Sequence, residues 1–256
     1  MKEELKILFK GIGYFCIALL LVGGLLFSFG IDGARIGNTN IPVPVLRRPS
    51  VTALVFKKIA DDLVPDNVIL AASSPISAFS TQLLLSFFLA FILILPFSLV
   101  AFARYISRAL APTEKLILYI IILPVLILFI SGVLFAYKIL LPFMLSALAL
   151  HAESIGVPSY FFLSDFVTLT LAMLFGTGLL FLIPVVMPVL TFARVIRARA
   201  WLHHWRASIM VSLVLSAIVA NDGSGISMLL LALPLVLCYF GGIVVSLIVE
   251  RFVLHS

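Results

Sequence analysis

Long apolar runs separated by short polar segments dominate the sequence. Five of the runs contain at least the roughly 20 residues that an α-helix needs to cross a bilayer. They are residues 11–30, 78–103, 116–137, 166–193 and 226–249. A sixth run, 207–220, would extend only about 21 Å as a helix, against a hydrocarbon core of about 30 Å. The pattern predicts an all-α integral membrane protein with six transmembrane helices, the fifth of them short.

The segments between these runs are polar or rich in proline. Residues 31–77 contain four prolines and form a long connection, and residues 138–165 form a second one. Within the first, apolar residues of 51–64 recur at helical spacing and Ser50 is a suitable N-cap. We therefore predict an amphipathic helix in the long first loop. The sequence NDGSG at 221–225 predicts a turn.

Charge is sparse and unevenly distributed. The chain is 63% hydrophobic and 11% charged, with a formal net charge of +6. With six spans, the termini and two basic loops hold 11 Lys/Arg and 4 acids, and the opposite side holds 6 Lys/Arg and 7 acids. The positive-inside rule then predicts that both termini are cytoplasmic, and that the long first loop is extracytoplasmic. The charge is thus explained by the membrane, and we expect no nucleic-acid partner.

No internal repeat is evident, so residues 1–256 are predicted to form a single polytopic membrane domain.

The sequence lacks the usual signatures of catalysis. Every charged residue and every histidine falls in a loop or at the end of a span, whereas proton relays and intramembrane catalysis use ionisable groups within the membrane. There is no HExxH, no P-loop and no G-x-S-x-G. Cys16 and Cys238 lie in apolar runs without a CxxC spacing. We predict a protein that is not an enzyme and has no metal site and no cofactor.

The loop FARYISRALAPTEK, residues 102–115, is the most informative polar stretch. It has three basic residues and a single acid, Glu114. Two interpretations are open. Glu114 either pairs at the surface with Lys115 or Arg108, as most loop charges do, or meets a cationic partner.

In order and spacing, several motifs resemble the TatC family, the receptor component of the twin-arginine protein translocase. They are SPISAF at 74–79, Pro96, YISRAL at 105–110 followed by Glu114, FAY at 135–137 with Pro142, and FLIP at 181–184. Arg108 replaces the proline of the family's loop, and Leu182 replaces a glutamate or glutamine of the fourth span. The resemblance also implies that the sixth helix, like the fifth, is short.

The resemblance implies a function and a location. Members bind the twin-arginine signal peptides of folded cargo at the cytoplasmic face, use the proton gradient, and reside in the bacterial or archaeal cytoplasmic (inner) membrane. Carried onto this chain, the signal-peptide site would comprise Glu114 and Glu4, with Tyr105 and Arg108 in the loop. An arginine guanidinium suits such a site because its planar fork meets a carboxylate in a bidentate manner.

The family also recruits single-span TatA/TatB-type proteins, and its members associate into larger complexes. The docking position would correspond here to Leu182 and Pro184, with Thr177 as a nearby polar group. Leu182 cannot donate or accept a hydrogen bond, so either Thr177 substitutes or the docking is apolar. The alternative for Thr177 is simple helix packing.

A different function remains open from the residues alone, namely a small-molecule permease or its substrate-binding membrane subunit. That function would require an enclosed polar site among the spans. The polar residues on offer are Gln82, Ser86, Ser98, Ser131, Thr168, Thr170 and Thr177. The short fifth span further suggests that the bilayer is thinned beside it.

Overall fold

The computed structural model describes residues 2–36, 39–45, 50–65, 68–107, 112–154, 160–193, 195–220 and 225–254. Ten α-helices, one π-helical segment and four short strands occur within these residues. In chain order they are α1 (Lys2–Ser28), β1 (Gly30–Ile36), β2 (Thr39–Val45), α2 (Val51–Leu63), β3 (Ile69–Ala71), α3 (Pro75–Ile106), α4 (Pro112–Phe135), the π segment (Ala136–Leu140), α5 (Leu141–Ser154), β4 (Tyr160–Phe162), α6 (Leu163–Leu180), α7 (Ile183–Phe192), α8 (Ala198–His203), α9 (Trp205–Ala220) and α10 (Ile226–Leu254).

The helices include several that are suited to a membrane. Within the described residues, four helical stretches are long and apolar enough to span a bilayer: Ile76–Tyr105, Leu118–Ser154, Leu163–Phe192 and Ile226–Arg251. Two shorter apolar stretches are Gly13–Ser28 and Trp205–Val219. The apolar helices confirm a membrane protein with several spans, while the count of six stays a prediction.

The chain divides into two compact units. The first contains residues 1–122 and 159–171, and the second contains residues 123–158 and 172–256. The boundary falls within α4 and within α6. The single membrane domain predicted for residues 1–256 therefore remains a prediction.

In the first unit, α1 packs along α3 in the antiparallel direction. Phe27 near the end of α1 contacts Phe79 near the start of α3, with ring centroids 5.3 Å apart. Phe15, earlier in α1, contacts Phe91, later in α3, at 6.4 Å. Both pairs are edge-to-face, an arrangement that aromatic rings favour. This register fixes which end of α1 lies beside which end of α3.

A buried polar cluster holds α2 against α3. Ser50 is the N-cap of α2 and accepts a hydrogen bond from the Ala53 backbone N–H at 3.3 Å. The Gln82 amide on α3 donates to Ser50 Oγ and, at 3.2 Å, to Thr52 Oγ1, and both hydroxyl-bearing residues are buried. The helix predicted at 51–64, with Ser50 as its N-cap, is confirmed.

Two pairs of strands were not predicted. β1 and β2 form an antiparallel hairpin in which Gly30 pairs with Val45, and β3 pairs in parallel with β4. Pro42 and Pro44 lie in β2, although proline cannot donate a backbone hydrogen bond to a neighbouring strand. Each sheet has only two strands, so every strand is an edge, where proline is tolerated.

In the second unit, the helix that begins with α4 continues far beyond its predicted end. The stretch Leu118–Ser154 is helical throughout, so the polar connection predicted at 138–165 is wrong over its first half. The π segment ends two residues before Pro142. Proline lacks an N–H and clashes with the preceding turn, and a widened π turn relieves both problems without ending the helix.

The fourth predicted span is interrupted after Leu180. α6 ends there and α7 begins at Ile183, with Leu182 as its N-cap and Pro184 in its first turn. The proline ring would clash with the carbonyl of Leu180, four residues earlier, and Pro184 has no N–H to donate to it. The helix therefore restarts at this point, and proline fits well in a first turn.

The C-terminal helices correct one prediction and confirm another. α9 has 16 residues and is short, as predicted. α10 has 29 residues, so the prediction of a short sixth helix is wrong. Proline is tolerated within membrane helices, and Pro234 does not end α10; Arg251 lies in its last turn, where a cation complements the helix dipole.

Candidate functional site

The predicted signal-peptide site begins at the C-terminal end of α3. Tyr105 lies half-buried in the last turn of this helix, and Arg104 beside it is exposed. Ser107 caps the helix, because its backbone N–H donates to the carbonyl oxygens of Ala103 and Tyr105. Arg108, another predicted member, lies outside the described residues.

Glu114 is the next predicted member of the site. Its backbone lies in the first turn of α4, which begins at Pro112, and its side chain is outside the described part of the chain. A carboxylate in the first turn of a helix is favoured by the unpaired backbone N–H groups and the helix dipole. Because only five residues separate Ile106 from Pro112, the ends of α3 and α4 can lie no more than about 22 Å apart.

The packing of α1 bears on the position of Glu4. α1 is a continuous helix from Lys2, and its aromatic contacts show that it runs antiparallel to α3. Continued from the pair formed by Phe15 and Phe91, the same register predicts that the backbone of Glu4 lies near the level of Phe102. We therefore expect the two acidic positions at one end of the first unit.

The predicted docking residues belong to the second unit. Thr177 is fully buried in α6, and its hydroxyl makes no hydrogen bond with any residue that the structure describes. Gly132 on α4 lies directly against this turn. A Cβ at Gly132 would be 2.9 Å from the Thr177 carbonyl oxygen and 2.9 Å from Phe181 Cβ. Thr177 therefore lies inside a tight contact between two helices.

Leu182 and Pro184 lie at the interruption between α6 and α7. Both are half-buried, and Val186, one turn farther on, is 51% exposed. Behind them, α10 approaches closely through Gly242, where a Cβ would be only 2.9 Å from Pro184 Cα. The outward surface at this interruption is apolar.

Three of the serine hydroxyls that a permease could use bond within their own helices. Ser86 Oγ donates to the Leu83 carbonyl at 2.7 Å, and Ser98 and Ser131 donate in the same way to carbonyls one turn earlier in their own helices. Within the described residues, no group of three or more His, Cys, Asp or Glu side chains is arranged to hold a metal ion. These three serine hydroxyls are thus used locally, whereas the buried hydroxyls of Thr170 and Thr177 have no hydrogen-bond partner among the described residues.

Comparisons with known proteins decide the family. The sequence model for Sec-independent protein translocase protein (TatC) matches residues 3–234. The chain belongs to the TatC family. A crystal structure of the twin arginine translocase receptor TatC matches with a TM-score of 0.74 and 26% identity, covering 97% of this chain and 100% of that one. A second TatC receptor structure, in the detergent DDM, matches with the same TM-score and identity over 95% and 99%. No curated protein sequence matches.

Family membership confirms the resemblance seen in the sequence. As a TatC protein, the chain is a multi-pass membrane component of the Tat translocase. TatC is not a known family of catalytic enzymes. The translocase, rather than a permease, is therefore the system in which its surfaces function.

The sequence analysis did not identify a set of hydrogen bonds that joins α8 to α10 and α7 in the second unit of this TatC protein. Tyr239 OH on α10 donates to the Trp201 carbonyl at 2.6 Å, and Trp201 Nε1 donates to Thr191 Oγ1 at 3.3 Å. Glu250 Oε2 accepts a hydrogen bond from the Ala198 N–H at 3.1 Å. The available signals were a tryptophan inside a basic loop and a lone acid at the end of the last apolar run.

Proposed function

We propose that this TatC protein is the receptor that binds twin-arginine signal peptides at the cytoplasmic face of the translocase, for export of folded proteins. The binding site comprises Glu114 and Glu4, with Tyr105 and Arg108 beside them. The observation that carries the proposal is the antiparallel register of α1 on α3. Extended to the start of α1, it supports a position for Glu4 at the end of the first unit at which α4 begins, with Glu114 in the first turn of α4.

The chemistry of the two acids suits an arginine pair. Each guanidinium donates two parallel N–H groups to one carboxylate, and such charge-assisted pairs are roughly twice as strong as neutral hydrogen bonds. A lysine ammonium is a point charge and cannot form the bidentate pair. Two acids at one rim therefore discriminate Arg-Arg from Lys-Lys, although both sequences carry the same charge.

The orientation follows from the same assignment. In the bacterial or archaeal inner membrane, both termini and the loop from α3 to α4 face the cytoplasm. The excess of Lys/Arg in these segments supports this orientation. The hairpin, α2 and the β3–β4 pair then belong to the opposite side.

The same assignment includes protein partners. TatA/TatB-type single-span proteins dock at the interruption around Leu182 and Pro184, and copies of the receptor associate in a larger complex. Because Thr177 is fully buried behind Gly132, docking is apolar and uses the outward surface near Leu182 and Val186. The hydroxyl of Thr177 has no direct part in it.

Site-specific photo-crosslinking in membranes tests the receptor function. A photoreactive amino acid replaces Thr113 or Leu5, next to the two acids, so that Glu114 and Glu4 stay intact. A third probe replaces Tyr160 on β4 as a control on the opposite side. The labelled protein is offered a signal peptide carrying Arg-Arg or Lys-Lys. We expect crosslinks from positions 113 and 5 that fade with Lys-Lys, and none from position 160.

The two acids are then substituted in the same probe-carrying proteins. Glu114→Gln should abolish the Arg-Arg crosslink from position 113, because the amide keeps the shape but not the charge. Equal crosslinking of the two peptides, or equal yield from position 160, would refute the proposed receptor site and leave only membership of the translocase.

Two substitutions test the docking separately. Thr177→Val removes the hydroxyl while preserving shape, and we expect crosslinking of a TatB-type partner near Leu182 to stay unchanged. Leu182→Gln adds an amide and should increase that crosslinking, because interhelical hydrogen bonds in membranes contribute about 0.6–2 kcal/mol. A loss of partner crosslinking in Thr177→Val would contradict apolar docking.

A further inference from the structure

The segment that joins α7 to α9, with the first two residues of α9, forms a surface here named the basic platform, residues 193 and 195–206. It includes the short helix α8 and is flanked by apolar helices on both sides, α7 before it and α9 after it. A polar segment between two apolar helices lies at the membrane surface. The basic platform is therefore at headgroup depth.

Three hydrogen bonds to two other helices, α10 and α7, fix the platform in place. The Glu250 carboxylate and the Tyr239 hydroxyl, both on α10, bind the Ala198 N–H and the Trp201 carbonyl. The Trp201 indole N–H donates to Thr191 on α7. Ala198 is fully buried and Trp201 is half-buried, so the inner side of α8 is packed. A segment held this firmly presents its outer side chains in a fixed arrangement.

The outer side of the platform is strongly cationic. Arg197, Arg199 and Arg206 are all exposed, and the platform sequence contains no aspartate or glutamate. The acid that reaches the platform from elsewhere, Glu250, points its Oε2 at the Ala198 N–H. Several positive charges thus share one surface, while the nearby carboxylate is engaged at the inner side.

Apolar side chains accompany these charges. Val195 is 67% exposed, Leu202 is 45% exposed and Trp205 is 41% exposed. The Arg206 guanidinium lies over the Trp205 ring, 5.4 Å from its centroid. Exposed apolar residues and tryptophan beside arginines are typical of a segment that inserts into the interface and contacts phosphates.

We propose that the basic platform is a binding site for the headgroups of anionic phospholipids in the leaflet that it faces. Lipid phosphates complement Arg197, Arg199 and Arg206, while Val195, Leu202 and Trp205 contact the acyl boundary. A cationic signal peptide would be repelled from this surface. A soluble acidic protein would gain from the charges but not from the three apolar side chains, so lipid is the occupant that satisfies both sets.

The chain provides its own spectroscopic probe for this site. Its two tryptophans, Trp201 and Trp205, both belong to the platform. The purified full chain is reconstituted into phosphatidylcholine vesicles, and a fraction of the lipid is replaced by brominated phosphatidylcholine or brominated phosphatidylglycerol. Bromine quenches tryptophan on contact, so the ratio of the two quenching constants measures lipid selectivity at the platform alone. We expect at least about fivefold preference for phosphatidylglycerol, since each basic residue near an anionic surface gains a comparable factor.

The variant Arg197→Gln/Arg199→Gln should reduce that ratio severalfold, because only Arg206 of the three named arginines then remains. It leaves the contact of Arg206 with Trp205 intact, so the intrinsic emission stays comparable. The matched control Lys57→Gln/Lys58→Gln removes the same charge from exposed positions on α2 and should leave the preference unchanged. Brominated phosphatidylcholine also reports whether the variant platform still contacts lipid, which distinguishes loss of selectivity from misfolding.

Two outcomes would overturn the proposal. Equal quenching by the two brominated lipids in the unmodified protein would show that anionic headgroups are not bound, and would leave an acidic protein segment as the candidate occupant. Suppression of the preference by soluble glycerol phosphate would identify a free phosphate as the ligand. Persistence of the preference in the presence of glycerol phosphate, and its decrease as salt is raised, support lipid binding.

Discussion

The Tyr239 hydroxyl donates a 2.6 Å hydrogen bond to the backbone carbonyl oxygen of Trp201. Tyr239 is 5% exposed on α10 and packs with Met187 and Ile243. Tyr239→Phe keeps the ring and removes only the hydroxyl, so the carbonyl loses this partner. We expect the free energy of unfolding to fall by about 1–2 kcal/mol. Denaturant titration in detergent micelles, monitored by tryptophan emission, measures this change in unfolding free energy.

Tyr119→Phe is the matched control for this substitution. Tyr119 is 42% exposed on α4, so loss of its hydroxyl should change the unfolding free energy by less than about 0.5 kcal/mol. Equal losses in the two variants would mean that the bond between α10 and α8 contributes nothing specific.

Two adjacent glycines of α10 provide a sharper comparison. A Cβ at Gly242 would lie 2.9 Å from the Cα of Pro184 and 2.8 Å from Met187 Sδ, whereas a Cβ at Gly241 has nothing within 4 Å. Gly242→Ala must push α7 and α10 apart, because a backbone atom cannot rotate away. We expect Gly242→Ala to destabilise the protein by about 1–3 kcal/mol.

Gly241→Ala should instead be neutral or stabilising by up to about 1 kcal/mol, because alanine favours helix over glycine. Thermal unfolding in detergent ranks both variants against the unmodified protein. If Gly241→Ala proves the more damaging of the two, the close approach of α10 to Pro184 is not a determinant of stability.

Local signals predicted the elements that depend on local chemistry. The amphipathic helix α2 was predicted with its N-cap, since Ser50 and the helical spacing of apolar residues are properties of neighbouring residues. The continuation of helix through α5 was missed, because His151 and Glu153 look like a loop in sequence. The side chains that hold α5 in place, among them Leu141 and Met144, are fully buried, and their burial depends on the rest of the second unit.

The candidate site shows the same division. Resemblance to a family identified Glu4 and Glu114, but a common location for them depends on the packing of α1 on α3, for which the sequence carries no local signal. The bonds of Tyr239 to Trp201 and of Gln82 to Ser50 join residues 38 and 32 positions apart. Pairings over such distances depend on tertiary structure, and a single sequence does not reveal them.

The buried polar cluster around Gln82 predicts the local stability of α2. Its amide donates to the hydroxyls of Ser50 and Thr52, which are 4% and 0% exposed. Gln82→Leu keeps the bulk of the side chain and deprives both hydroxyls of this donor. We expect a local loss of about 1–2 kcal/mol, seen as amide hydrogen exchange about 5–30 times faster across Val51–Leu63.

Ser80→Ala on the same helix is the control, because the Ser80 hydroxyl donates to the carbonyl of Ser77 one turn earlier and does not reach α2. Exchange across α2 should be unchanged in this variant. Unaltered exchange in Gln82→Leu would show that apolar packing alone holds α2.

The adjacent acids Glu3 and Glu4 allow a test of the register argument. Neighbouring residues of a helix point about 100° apart, so only one of them can face the end of α3. We expect Glu4→Gln to weaken binding of an Arg-Arg peptide about tenfold or more, corresponding to loss of a charged hydrogen bond of about 1.5–3 kcal/mol. Glu3→Gln removes the same charge and should have a smaller effect. Equal weakening would indicate a diffuse electrostatic contribution rather than a defined contact.

The length of α9 predicts a thinner bilayer beside the second unit. Its 16 residues extend about 24 Å, short of the roughly 30 Å hydrocarbon core. Met210, Val214 and Ile218 are 56–68% exposed on one side of α9, and we expect lipid to cover this apolar surface. Thinning of the bilayer matches this short apolar surface, and it would ease passage of a folded protein near this face.

A cysteine scan measures the thinning. Cys16 and Cys238 are first replaced by serine, and single cysteines are then placed along α9 and along the 26-residue stretch Ile226–Arg251 of α10. A membrane-impermeant thiol reagent should leave a shorter protected stretch on α9 than on α10. Uniform protection of α9 and of the residues flanking it would show a bilayer of ordinary thickness. In that case, mismatch at α9 would have to be relieved by association with another helix, and the thinning hypothesis would be wrong.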